Sequence, residues 1–120
     1  MTRRIEKVAD LLQSEIAELL RREVKHPALS EAMLSITRVE VSPDLHAARI
    51  HVSLMGDQAR EAEVFQALER TEPFLHRELV KRLRMRTIPR LRFFPDHSIA
   101  EGDRLTTLMR EVAQSEGREL

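Results

Sequence analysis

The chain has 120 residues, with 20 Lys+Arg against 20 Asp+Glu and no formal net charge. That length fits one domain, and 42% hydrophobic residues supply one core. The absence of cysteine excludes disulfides, Cys-based zinc sites and thiol catalysis. No apolar run is long enough for a transmembrane helix, and the start, Met1 to Glu6, has no apolar signal-peptide core. A cytoplasmic protein is the expectation.

Residues 3–25 read as an amphipathic helix. Ile5, Val8, Leu12, Ile16, Leu19 and Leu20 recur at three- and four-residue spacing. Thr2 suits its N-cap, and His26-Pro27 suits its end. Residues 34–41 read as a strand whose alternation changes phase between Ile36 and Val39, which predicts a bulge near Thr37-Arg38. Ser42-Pro43-Asp44 is turn chemistry. Ala48, Ile50, Val52 and Leu54 then alternate with Arg49, His51 and Ser53, so an antiparallel hairpin with one wet face is predicted.

Asp57 is suited to cap a second helix over 58–70, marked by Val64, Phe65 and Leu68. Thr71-Glu72-Pro73 interrupts it, because proline removes a donor and crowds the preceding turn. A third helix is expected to restart there and run to about Leu83. On a wheel of about 100° per residue, Arg84, Arg77 and Lys81 fall opposite Leu75, Leu79 and Leu83. Thr87 to Phe94 reads as a third strand, with Pro89 at an edge or at the strand's start. Ser98-Ile99-Ala100-Glu101 has a capping-box pattern, and Leu105, Leu108, Met109 and Val112 mark a last helix. The order α-β-β-α-α-β-α describes an α+β domain, a three-stranded sheet with helices on one face. One domain over 1–113 and a short frayed tail over 114–120 are expected.

The zero net charge is not evenly spread. Residues 76–92 hold Arg77, Lys81, Arg82, Arg84, Arg86, Arg90 and Arg92 against Glu78 alone, a local charge of +6. The stretches 50–75 and 93–120 each carry −3. Clustered arginines match phosphate geometry, so the window reads as a phosphate-tracking surface that Arg3, Arg4 and Lys7 extend. A plain solvated face is the alternative. With four Phe and no Tyr or Trp, base stacking on a sheet is not expected, and Phe93 fits the core.

Catalytic patterns are missing. The five histidines are scattered and no His-Glu-x-x-His occurs, so no metal is expected. Asp44 and Asp96 as a nuclease's metal pair are better explained as turn and loop residues. Ser98 has no Gly-x-Ser-x-Gly context, and the three glycines build no phosphate loop.

Several stretches resemble the ribosome-binding factor A family. They are Arg4-Ile5 to Glu23-Val24, Val39 to Leu45 with Ala47-Ala48, Gly56, Leu83 to Phe93, Asp96-His97-Ser98, and Gly102 to Leu105. The run Arg86-Thr87-Ile88-Pro89-Arg90-Leu91-Arg92-Phe93 through Asp96 and Ser98 is the most specific part. The resemblance spans roughly residues 3–112. It implies a KH-like (type II) domain of bacterial kind that is no enzyme and uses no cofactor, membrane or small-molecule substrate. It further implies a monomer that binds the free small (30S) ribosomal subunit, assists late folding and 5′-end maturation of 16S rRNA, and matters most in cold growth. Such a factor acts like a chaperone, near the decoding region. RNA-binding KH domains carry Gly-x-x-Gly between the middle helices, and this family usually carries Ala-x-Gly. Here Thr71, Glu72 and Pro73 form the expected interhelical kink; none offers the bare backbone of glycine, and Glu72 repels phosphate. The alternative function is a KH-like adaptor whose arginines meet an acidic protein partner.

Overall fold

Residues 3–30, 32–56, 58–98, 105 and 108–112 are described by a computed structural model of the chain. Helix α1 (Arg3–Arg22) buries Ile5, Leu12, Ile16 and Leu19, the stripe its periodicity predicts. Each such aliphatic side chain contributes about 1.5–3 kcal/mol through burial. The helix closes with the N–H groups of Glu23 and Val24 on the Leu19 carbonyl. A single further turn, α2 (Pro27–Ser30), starts at the proline. Its Ala28 N–H donates to His26 Nδ1 at 3.2 Å. The residue pattern gives no sign of this turn beyond the proline itself.

Strands β1 (Met33–Val41) and β2 (Ala47–Met55) pair antiparallel, and the register shifts between Ile36 and Arg38. Thr37 is therefore the extra residue of the predicted bulge. The connecting turn is held by side chains. Ser42 Oγ donates to Asp44 Oδ1 at 2.6 Å, and the N–H of His46 donates to the same oxygen at 3.0 Å. Leu45 takes a left-handed φ of 63° there. At the far end of β2, Gly56 has φ 104°, a conformation glycine alone adopts readily. The outer face of β2 is polar at Arg49 and His51, but Ser53 is buried, against the predicted alternation.

The predicted pair of middle helices is one helix. A short 3₁₀ turn (Gln58–Arg60) leads into α3 (Glu61–Arg82), and Pro73 lies inside it. Thr71 and Glu72 are buried side chains within α3, so no new helix restarts there. Two facts explain the continuity. Pro73 and Glu69 are exposed, so the carbonyl that loses its donor faces water. Val64, Ala67, Leu68, Leu75 and Leu79 are buried on both sides of the proline, so packing holds the two halves in line. The N-cap position is Arg60, without a side-chain cap; Asp57, the predicted cap, lies outside the described residues.

Strand β3 (Arg90–Pro95) lies parallel to β2, giving a three-stranded sheet in the order β1-β2-β3. It starts after Pro89, three residues later than predicted, because Pro89 has no N–H to pair and His76 Nε2 lies 3.0 Å from the Ile88 carbonyl. Val39, Val41, Ala48, Ile50, Val52, Leu54 and Leu91 meet α1 and α3 in one core. The helices thus cover one face of the sheet, as the α+β reading requires. Of the last helix, Ser98, Leu105 and residues 108–112 are helical, and Leu105, Leu108, Met109 and Val112 are exposed rather than packed. The rest of the capping box and residues 113–120 lie outside the described residues.

Candidate nucleic-acid interface

The second half of α3 sorts its residues by angle. Leu75 and Leu79 are buried, and Leu83 follows them, while Arg77 and Lys81 are exposed. Lys81 Nζ lies 3.2 Å from Glu78 Oε2, a surface pair with its lysine 73% exposed. Such a pair holds little energy and leaves the ammonium available. After α3 the chain leaves the helix at an extended Leu83, and Arg84 and Arg86 are exposed on either side of half-buried Met85.

Met85 brings the window to the start of α1. Arg3, Arg4, Lys7, Val8, Leu11 and Met85 line one open groove of about 400 Å³. Its floor is apolar and its rim cationic. Arg84 and Arg86, both exposed, flank Met85 in the chain, so two segments remote in sequence bring basic residues to one junction. Among the described residues, Arg3, Arg4, Lys7, Arg77, Arg84 and Arg86 make no ion pair.

Arg82 does not join them. Its guanidinium lies 3.8 Å from Glu15 and 3.6 Å from Glu23, and so ties α3 to α1. The same helical wheel carries the signal, since Arg82 follows Leu75 by seven residues and falls within about 20° of it. Arg90 is also engaged, with its guanidinium on the buried carboxylate of Glu72. Arg92 stands on the face of the sheet away from the helices, opposite Arg49 in the parallel register. Of the kink residues, Thr71 is buried, Glu72 is bonded to β3, and Pro73 alone is exposed.

The outer sheet face holds a group that sequence patterning does not assemble. The Arg49 guanidinium carbon lies 5.6 Å from the Phe94 ring centre, and the His51 ring centre lies 6.0 Å from it. His51 Nε2 is 2.7 Å from Glu40 Oε1, and Arg38 is 3.1 Å from the same oxygen. The His51 hydrogen bond first, then the nearby arginines, hold the Glu40 carboxyl below its ordinary pKa. Arg49 and His51 are legible as a polar alternation; their meeting with Phe94 depends on the β2–β3 register.

The two aspartates considered as a metal pair are far apart. Asp44 belongs to the β1–β2 turn, where the Ser42 hydroxyl and the His46 N–H lower its pKa. Asp96 lies at the other end, with its N–H on the Val52 carbonyl. Five residue steps along β2 take the chain from Ala47 to Val52, roughly 16 Å. Asp96 Oδ2 accepts from Thr37 Oγ1 at 2.6 Å and Oδ1 from the Ser98 N–H at 3.0 Å. These bonds lower its pKa to about 2. Among the described residues no three His, Asp or Glu side chains gather as metal ligands. No helix there is long and apolar enough to cross a membrane.

The element order, the parallel β2–β3 pair and the one-sided helices define a KH-like α+β domain. The family model for ribosome-binding factor A matches residues 4–109, and the chain belongs to that family. It is 40% identical to the ribosome-binding factor A of Syntrophus aciditrophicus over 95% of this chain and 91% of the relative. It is 36% identical to that of a Picosynechococcus species over 99% of this chain and 91% of the relative. The crystal structure of ribosome-binding factor A from Thermus thermophilus is similar, with a TM-score of 0.65 and 27% identity over 76% of this chain and 93% of the other. A homology model of the Thermus thermophilus factor, fitted into a cryo-EM map of a 30S complex, gives a TM-score of 0.59 at 27% identity, covering 74% of this chain and 91% of that one.

Proposed function

We propose that this chain is a cytoplasmic, non-enzymatic assembly factor that binds the free small ribosomal subunit. It acts as a monomer on 16S rRNA late in maturation, including formation of the 5′ end, and matters most in cold growth. Family membership supports this reading, as does the fitting of a structural relative into a 30S complex. The observation that carries it is the basic junction. Arg3, Arg4 and Lys7 of α1 line one groove with Met85, which the exposed Arg84 and Arg86 flank in the chain. Cations on α1 and on the segment that follows α3, with no acidic partner among the described residues, suit adjacent phosphates of a folded RNA. Arg77, Lys81 and Arg92 contribute further charge. Arg82 and Arg90 act first as internal ties. The site needs no cofactor, metal or small-molecule substrate.

The acidic segments on either side keep affinity for arbitrary RNA low, so binding depends on a shaped target. Occupying one rRNA conformation shifts the population toward it. The test is reversal of Arg77, Lys81 and Arg84 to Glu, read by co-sedimentation with purified small subunits. The variant should stay in the supernatant; undiminished pelleting would refute the assignment. Ribonuclease treatment should release the bound chain, whereas an adaptor on an acidic protein would keep its partner.

A further inference from the structure

The outer edge of β3 carries a second groove of about 400 Å³, with Arg90, Arg92, Phe93 and Phe94 along it and Glu69 and Glu72 across it. Cations and aromatic rings beside an unpaired strand edge have the composition of a single-strand nucleic-acid site. Phosphates meet guanidinium groups, bases meet rings, and the edge N–H groups are open to base acceptors. Here that edge is already occupied. The Glu72 side chain is 10% exposed. Its Oε2 accepts the Leu91 N–H at 2.8 Å, and its Oε1 accepts from the Arg90 guanidinium. One carboxylate therefore takes one edge donor, the Leu91 N–H, and the nearest cation together. Glu69, one turn earlier on α3, places a second negative charge on the rim.

We propose that Glu72 is a specificity-determining residue that closes the β3 edge to single-stranded RNA. The chain then engages folded RNA mainly through the α1–α3 junction. The inference rests on the proposed ribosomal function and adds the class of RNA that is refused. A carboxylate is chemically suited to this task. It occupies the two positions that a nucleotide's acceptor atoms would take, and its charge repels the phosphates that would bring a strand in. A purely edge-covering role predicts something else, namely that removing Glu72 affects folding and solubility without creating RNA affinity.

The experiment compares the unaltered chain with E72Q and E72A on a labelled oligouridylate by fluorescence anisotropy at low salt, with thermal melts of each. Gln keeps the shape and an acceptor for Leu91 but releases Arg90 and removes the charge. E72Q and E72A should bind about tenfold more tightly than the unaltered chain, the scale of one removed repulsion and one freed cation. Adding Arg90→Ala should abolish the gain. A folded E72Q with no gain, or a gain that survives Arg90→Ala, would overturn the proposal. If E72A fails to fold, E72Q alone decides. Small-subunit binding by the unaltered chain is measured in parallel. Its failure would count against the ribosomal reading and leave the oligouridylate comparison intact.

Discussion

Thr37 Oγ1 lies 2.6 Å from Asp96 Oδ2 and so links the bulge of one edge strand to the end of the other, across β2. The bulge turns Thr37 out of the regular alternation, and the parallel register sets Asp96 just beyond the pair Val52–Pro95. The Thr37 bond is the first cause of the lowered Asp96 pKa, about 2 against an ordinary 3.8. A carboxyl with a lower pKa in the folded state stabilises the fold above its unfolded pKa. That stabilisation is lost as pH falls through the folded value. Melting temperature should therefore decline between about pH 4 and pH 2, and Asp96→Asn should flatten that part of the profile. Thermal melts across this range check it, and an unchanged profile in the variant would deny the link.

Pro73 is an internal cost to α3 that packing on both sides overrides. Pro73→Ala restores one donor for the Glu69 carbonyl at an exposed site. Stability should rise by about 1–3 kcal/mol with the fold unchanged. Urea unfolding measures it; a loss of stability would mean that proline shapes the helix in a way the core requires.

Arg82 allows a structural arginine to be compared with those proposed to bind RNA. Arg82→Ala removes the ion pairs to Glu15 and Glu23 and should cost about 0.5–1 kcal/mol. Small-subunit affinity should change less than in Arg84→Glu. Chemical denaturation beside co-sedimentation distinguishes the two effects.

Leu12, Ile16 and Leu19 are fully buried. Ile16→Ala should destabilise the domain by about 2–5 kcal/mol, since the surrounding layers relax only partly into the cavity. A urea melt reports it directly.

The legible parts of the fold were those set by local pattern. The α1 stripe, the Thr37 bulge, the Ser42-Pro43-Asp44 turn and the β1–β2 hairpin all follow from spacing and residue type. The continuity of α3 did not, because it depends on which way Pro73 faces and on how firmly Leu68 and Leu75 are packed. For the same reason the wheel identified Arg77 and Lys81 as outward but gave no partner for Arg82, whose carboxylates come from α1 and the residues just after it. The candidate site was legible as a charge excess over 76–92. Its split into a junction around Met85, two internal ties at Arg82 and Arg90, and an outer face with Arg49 and Phe94 depends on tertiary structure and on the parallel register.

Contact between rRNA phosphates and the α1–α3 junction is the core of the proposed function. It is tested most directly by the affinity of the unaltered chain and of a Lys7→Glu, Arg84→Glu, Arg86→Glu variant for purified small subunits over a range of salt. Log affinity should fall linearly with log salt. The variant should bind more weakly, with a slope shallower by about 0.7–0.9 for each phosphate it no longer neutralises. A flat response in the unaltered chain, or identical slopes and affinities for the two proteins, would contradict it.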